Sequence, residues 1–331
     1  MISTGIDVSA KELSVVILNK NKASKTLSFT NDGKGHQSLL KMLKKKKVDR
    51  VCLEATGVYH LDVSVLLHDS QCFEFMVINP RAAKHYSEAR MSRCKTDAVD
   101  AVLLAGFAQH MPFKQWQRPD DNLLNIRACS RRLASLTKHR AQAKNQLHAI
   151  QATVTTPDII VADIKLTIQQ VEQQISALRD HALQLISKDE KTSRILTLLL
   201  SVKGIAEASA IQLMGELLVL PNDMTARQWV AMAGLDPKLH QSGTSINKKA
   251  RISKVGNRYL RGALYMPALS ASRHDQFVHG YYIHLIEHRG LKKIQAVCAV
   301  MRKLLHAIHG MLRTNSTFDS TRFYRASEQV S

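Results

Sequence analysis

Apolar residues near the start of the chain fall into short blocks separated by polar turns. Ile6 leads into Ser9-Ala10-Lys11, and Leu13-Ser14-Val15-Val16-Ile17-Leu18 follows as a second block. Two apolar runs joined by so short a turn predict a pair of hydrogen-bonded strands. Residues 26–30 predict a third strand, closed by the turn formers Asn31-Asp32-Gly33. Leu39, Leu40 and Leu43 then recur at helical spacing and run into Lys44-Lys45-Lys46-Lys47. Beyond them Val51-Cys52-Leu53 reads as a short buried strand and 59–67 as a helix. Residues 73–78 read as a strand stopped by Asn79-Pro80, and 98–107 as a helix. Adjacent strands followed by alternating helices and strands predict an α/β layer with a mixed sheet over 1–118.

From 119 to 188 the period changes. Ile126, Cys129, Leu133, Leu136, Arg140, Ala143, Leu147 and Ile150 step by three and four, and so do Ile164, Ile168, Val171, Ile175, Leu178, Ala182 and Leu185. Two such seams, joined through Thr155-Thr156-Pro157-Asp158, predict a coiled-coil hairpin that serves dimerisation or acts as a rigid spacer. Arg140 on the seam should weaken packing there and help to set register. Residues 189–331 are mostly helical in pattern, with helices expected over 193–202, 207–220, 226–233, 259–272 and 292–312. The polar, basic stretch 236–257 is expected to be an irregular loop or hairpin. Three domains are therefore expected, at 1–118, 119–188 and 189–331.

Composition adds the first functional clue. Among 331 residues, 47 Lys and Arg stand against 27 Asp and Glu, a formal charge of +20. Such a surplus points to a polyanionic partner, nucleic acid before an anionic membrane surface. No apolar run reaches the ~18 residues of a spanning helix, and no signal peptide is evident at the N-terminus. A soluble protein that works on DNA or RNA is expected. Cys52, Cys72, Cys94, Cys129 and Cys298 have no zinc-site spacing and are expected as unpaired thiols. The histidines are scattered; His284 with His288, and His306 with His309, read as solvated or core residues rather than ligands.

Four acids stand out against this basic background. Asp7 ends the first apolar approach and Glu54 ends a strand, while Asp97 and Asp100 lie in Lys95-Thr96-Asp97-Ala98-Val99-Asp100-Ala101. Thr96 or Asp97 can cap the helix that begins there, and a spacing of three puts both Asp residues on one face. Carboxylates gathered beside apolar elements repel one another unless a cation neutralises them. Oxygen donors of this kind select Mg²⁺ or Mn²⁺. Two such ions about 4 Å apart can activate a nucleophile and stabilise the leaving oxygen of a phosphodiester. Taken singly, each acid is equally a turn or cap residue; spacing alone does not bring the four together.

The order strand Asp, strand Glu, helical Asp-x-x-Asp resembles the RuvC-like branch of the RNase H fold. More closely, the chain resembles the DEDD transposases of bacterial insertion sequences, a family that includes the Piv invertase and the bridge-RNA-guided recombinases. The matching segments are Gly5-Ile6-Asp7-Val8-Ser9-Ala10-Lys11, Glu54-Ala55-Thr56-Gly57-Val58-Tyr59, Val77-Ile78-Asn79-Pro80 and the segment around Asp97 and Asp100. In the last third they are Ala233-Gly234-Leu235, Gln241-Ser242-Gly243-Thr244-Ser245, Arg251-Ile252-Ser253-Lys254-Val255-Gly256-Asn257 and Leu260-Arg261-Gly262-Ala263-Leu264-Tyr265-Met266.

The resemblance implies that Asp7, Glu54, Asp97 and Asp100 bind Mg²⁺. It implies that Ser242 is the nucleophile that becomes linked to a DNA strand, with Ser245 as fallback, in a site assembled when domains or protomers meet. It further implies donor and target DNA as partners, a structured guide RNA, and a homodimer or tetramer. Lys248, Lys249, Arg251, Lys254, Arg258 and Arg261 follow Ser242 closely and could grip phosphates without reading bases. Val202-Lys203-Gly204-Ile205-Ala206 resembles the phosphate-binding turn of a helix-hairpin-helix, with Ala206 where the family commonly has a second Gly. The alternatives are a Piv-like invertase without guide RNA, a RuvC-like nuclease that uses water in place of serine, and a non-catalytic scaffold.

Overall fold

A computed structural model describes residues 1–20, 22–91, 96–242 and 246–325, with the backbone alone at 239–242 and 246–250. Two units emerge, Met1–Arg118 and Pro119–Ser331.

In the first unit β1 (Ile2–Val8) and β2 (Glu12–Asn19) form an antiparallel hairpin, and β3 (Lys22–Ala23) and β4 (Leu27–Thr30) both pair with β2. Then β5 (Arg50–Glu54) lies parallel beside β1, and β6 (Glu74–Ile78) parallel beside β5, giving the order β3-β2-β1-β5-β6. The helices are α1 (Gly33–Lys45), α2 (Leu61–Asp69), α3 (Pro80–Ala89) and α4 (Asp97–His110). Successive side chains of a strand point to opposite faces, and here each face has its own core. Ile6, Val8, Val51, Leu53 and Phe75 meet Leu39 and Leu43 of α1 and Val63 and Leu67 of α2. Cys52, Met76 and Ile78 meet Leu104 and Phe107 of α4 on the other face.

Asn79-Pro80, read above only as a stop, also starts α3. The Asn79 side chain accepts from Ala82 N at 2.8 Å and Pro80 takes the first helical position, where its missing N–H leaves no gap.

The second unit opens with α5 (Asp121–Ile150) and α6 (Asp158–Ser187), each 30 residues long and packed on one another. Buried positions on them include Ile126, Leu133, Leu136 and Ala143 on α5, and Ile168, Ala182 and Leu185 on α6. These are seam positions. Next come α7 (Glu190–Leu200), α8 (Glu207–Leu217), α9 (Ala226–Ala233), β7 (Pro237–Ser242), β8 (Ile246–Ile252), α10 (Arg258–His274), α11 (Gln276–Glu287) and α12 (Lys293–Thr314). The base of the helix pair shares one core with these helices: Ile126, Leu133 and Leu185 pack with Leu198, Met214, Leu264 and Leu304. The polar stretch before α10 is an antiparallel hairpin, with Ser242 paired to Ile246.

A buried carboxylate ties the start of α10 to α5. Glu216 on α8 is 1% exposed and accepts from Arg131 Nε at 2.6 Å, a second Arg131 nitrogen at 3.0 Å and Asn257 Nδ2 at 2.5 Å. Asn257 in turn caps α10, its Oδ1 accepting from Tyr259 N and Leu260 N. Removing one partner of a buried ion pair leaves the other charge uncompensated, so Glu216→Ala should cost about 3 kcal/mol or more in urea unfolding. A loss within about 0.5 kcal/mol, the range of an ordinary surface change, would contradict this.

Candidate active site

The strand register and one glycine decide where the acids go. Gly5 on β1 and Cys52 on β5 are paired across the parallel ladder. Cys52 packs with α4 residues, and an ideal Cβ on Gly5 would lie 2.0 Å from Ala101 O and 2.3 Å from Ala105 N, so both positions face α4. Two residues further along each strand the chain faces the same way again. Those residues are Asp7 and Glu54. The first turn of α4 carries Asp97 and Asp100, immediately before Ala101. Thr96 caps it, accepting from Val99 N at 3.3 Å, and the positive end of the helix dipole favours carboxylates there.

The four acids line one open cleft of ≈ 800 Å³, together with Tyr59 and, from α3, Lys84 and Glu88. Asp7, Glu54 and Asp100 are half-buried and Asp97 is exposed. Burial, followed by the charges of Asp97, Asp100 and Glu54, raises the Asp7 carboxyl from 3.8 to about 6. Those three carboxylates therefore stand close enough to Asp7 to disfavour its charge. Among the described residues no three acid, His or Cys groups are gathered into a ready-made metal cluster.

Because α4 rests against Gly5, a side chain at that position must push the helix away. Gly5→Val should cost about 1–3 kcal/mol by overpacking and should disperse the acids. The check is thermal unfolding together with the Asp7 titration by NMR, which should move back toward 3.8. An unchanged melt and an unchanged titration would show that the close approach is not needed.

The other residues singled out in sequence lie in the second unit. Arg251, Lys254 and Arg258 are exposed, whereas Arg261 is half-buried and donates to Ala233 O at 2.9 Å. Ser242 ends β7. Its side chain, those of Lys248 and Lys249, and residues 243–245 with the fallback Ser245 lie outside the described atoms, as does Cys94. Cys52, Cys72, Cys129 and Cys298 are unpaired thiols. Gly204, in the turn between α7 and α8, has φ +103° and packs so closely on α10 that a Cβ would lie 2.7 Å from Pro267 O. Packing on α10 is thus one reason for a glycine at that turn. Tyr59, Lys84 and Glu88 were not singled out as cleft residues; the last two ride on α3.

Two family models match the chain: a DEDD-type IS110 transposase over residues 4–154, and the transposase IS116/IS110/IS902 family over 196–283. The pilin gene-inverting proteins of Moraxella bovis and Moraxella lacunata are each 28% identical to it, over 95% of this chain and 97% of their own. Among solved structures, T. thermophilus RuvC in complex with a Holliday junction substrate is 13% identical, covers 32% of this chain and 90% of that one, and gives a TM-score of 0.26, too low to bear on the site. The chain belongs to the IS110-type transposase family, whose members are DNA-recombining enzymes.

Proposed function

We propose that this chain is a DNA recombinase of a bacterial insertion sequence, cutting with a divalent cation and exchanging strands through a serine. The observation that carries the reading is the convergence of Asp7, Glu54, Asp97 and Asp100 on one cleft, where burial and then the charges of the other three raise the pKa of Asp7. That donor set fits Mg²⁺ or Mn²⁺. Held there, the cation would supply Lewis-acid stabilisation of charge developing on a phosphodiester. The chain supplies placement: β1 and β5 hold two acids in register, and the first turn of α4 holds the other two. The mixed strand order and the positions of the acids support a RuvC-like, RNase H-type reading of this unit.

Ser242 is our candidate nucleophile. Attack of its hydroxyl on a phosphodiester would form a phosphoserine ester and release one strand end. Attack of another strand end on that ester would restore a phosphodiester and free the serine. Ester bonds are conserved in number, so joining needs no outside energy, whereas attack by water would leave a break. A serine hydroxyl is a weak nucleophile until a base or cation activates it.

The charge excess and the exposed Arg251, Lys254 and Arg258 support phosphate contacts with DNA, to which Lys248, Lys249 and Arg261 would add. Each phosphate neutralised contributes about −0.9 to the slope of log K against log salt. Fluorescence anisotropy on duplex DNA should therefore show affinity falling by orders of magnitude between about 50 and 200 mM salt. A flat response would remove the basic surface from this account.

The pilin gene-inverting relatives, matched along nearly the whole chain, favour inversion as the reaction's outcome. Guidance by a structured RNA is the further element of our reading. It is tested by sequencing nucleic acid that co-purifies with the protein from its own host. A structured RNA from the same element supports guidance, and DNA alone supports an unguided invertase. Val154, Ile159, Ile160 and Leu166, exposed toward the turn between α5 and α6, support a coiled coil that joins copies into a dimer or tetramer. No helix among the described residues is long and apolar enough to cross a membrane; the proposed site of action is nucleoid DNA in the bacterial cytoplasm.

A further inference from the structure

Two loops leave the carboxylate cleft on one side of the sheet. The turn after β1 begins two residues past Asp7 with Ser9, and the loop after β5 runs from Glu54 through Gly57, with φ +56°, to Tyr59. A single side chain bonds to both. Asn31 Nδ2 donates to Ser9 O at 2.8 Å and to Tyr59 O at 3.1 Å. Its backbone N also donates to Lys11 O at 2.9 Å, in the same turn as Ser9.

The amide is itself held. Asn31 Oδ1 lies 2.6 Å from His36 Nε2, and His36 is 6% exposed on the first turns of α1. With both amide hydrogens committed to carbonyls, Oδ1 can only accept, so the network requires the His36 hydrogen on Nε2. Next to Asn31, Asp32 caps α1, its Oδ1 accepting from Gly35 N at 2.8 Å. The bridging amide therefore sits at the start of a helix whose Leu39 and Leu43 are fully buried.

We propose that Asn31 is a positioning residue for the carboxylate cleft. By tying Ser9 O and Tyr59 O to one amide it sets the separation of the loops behind Asp7 and Glu54, and so the spacing at which those carboxylates receive a divalent cation. His36 keeps the amide in the orientation that makes both bonds. The inference rests on the cation reading given above and names the strut that reading needs. Hydrogen-bonding partners behind the liganding groups typically matter about 10- to 100-fold in metal affinity.

The test uses the full chain and Mn²⁺ alone, with free ion followed by electron paramagnetic resonance. Asn31→Ala should weaken Mn²⁺ binding about tenfold or more, with a metal-free melting temperature near that of wild type. His36→Gln, which retains a donor facing Asn31, should stay near wild type, whereas His36→Ala should weaken binding. Should Asn31→Ala fail to fold, Asn31→Gln keeps both donors but lengthens the amide by one methylene, and the same weakening is expected. Unchanged Mn²⁺ affinity in the folded Asn31 variant overturns this inference and leaves the cation reading standing. Equal weakening in His36→Gln and His36→Ala overturns the assigned role of the His36 hydrogen bond. Absence of Mn²⁺ uptake by wild type overturns the cation reading itself, and the strut with it.

Discussion

Asp7→Asn protein should fold, bind DNA and cut almost none of it. The substitution keeps the side chain's size and replaces the carboxylate with a neutral amide. A bound cation stabilises the charge of phosphoryl transfer by several kcal/mol, and at 1.36 kcal/mol per decade a loss of about 4 kcal/mol is about 10³-fold in rate. The same result is expected for Asp97→Asn and Asp100→Asn. Stability should move the other way. In the folded chain the Asp7 carboxyl sits near 6 against 3.8 ordinarily. The folded state therefore holds that proton more tightly than the unfolded chain does. The metal-free protein loses stability as pH rises from about 4 through about 6, and the penalty is complete above that window. Asn carries no such charge, so metal-free Asp7→Asn should melt above wild type at pH 7. A variant that is more stable and inactive separates loss of chemistry from loss of fold; a variant that cuts at the wild-type rate removes Asp7 from the site.

Ser242→Ala should abolish the covalent protein–DNA adduct and strand joining. The substitution removes one oxygen from the end of β7. Without it no phosphoserine ester can form, and removal of a nucleophile that acts with a base can cost about 10⁶-fold. The gel assay is direct: denatured protein from a reaction on labelled DNA should carry label in wild type and none in the variant. Ser245→Ala should still carry it. If Ser242→Ala forms adduct and joins strands as wild type does, the nucleophile is another residue; if it cuts normally while wild type forms no adduct, the reaction is hydrolytic.

Much of the first unit was readable from its short apolar blocks and the turns between them. Ile6, Val8, Val51 and Leu53 face one core, while Gly5 and Cys52 face α4 on the other. That Asp7 and Glu54 share a face follows from the pairing of β1 with β5. What spacing could not supply is the register between β1 and β5 and the close packing of α4 on Gly5. Only with that packing do Asp97 and Asp100 arrive beside the strand acids. The seam along α5 and α6 was equally plain, because burial there follows a sustained repeat. Less visible was α11, which follows α10 after Asp275 alone, with no Pro or Gly between them to mark the break. Equally hidden was Glu216, an acid on an apolar helix whose partner Arg131 lies 85 residues away. Asn31 read as a turn residue, which it is; its bridge to Tyr59 spans 28 residues and follows from no local pattern.

The central claim is that Asp7, Glu54, Asp97 and Asp100 hold a divalent cation. A crystal of the full chain soaked in Mn²⁺ and measured at the manganese absorption edge tests it most directly. The account predicts an anomalous peak within the cleft, in contact with carboxylate oxygens of these four residues and missing in Asp7→Asn crystals. Ordered carboxylates with no peak among them, or a peak that persists unchanged in Asp7→Asn, would contradict it.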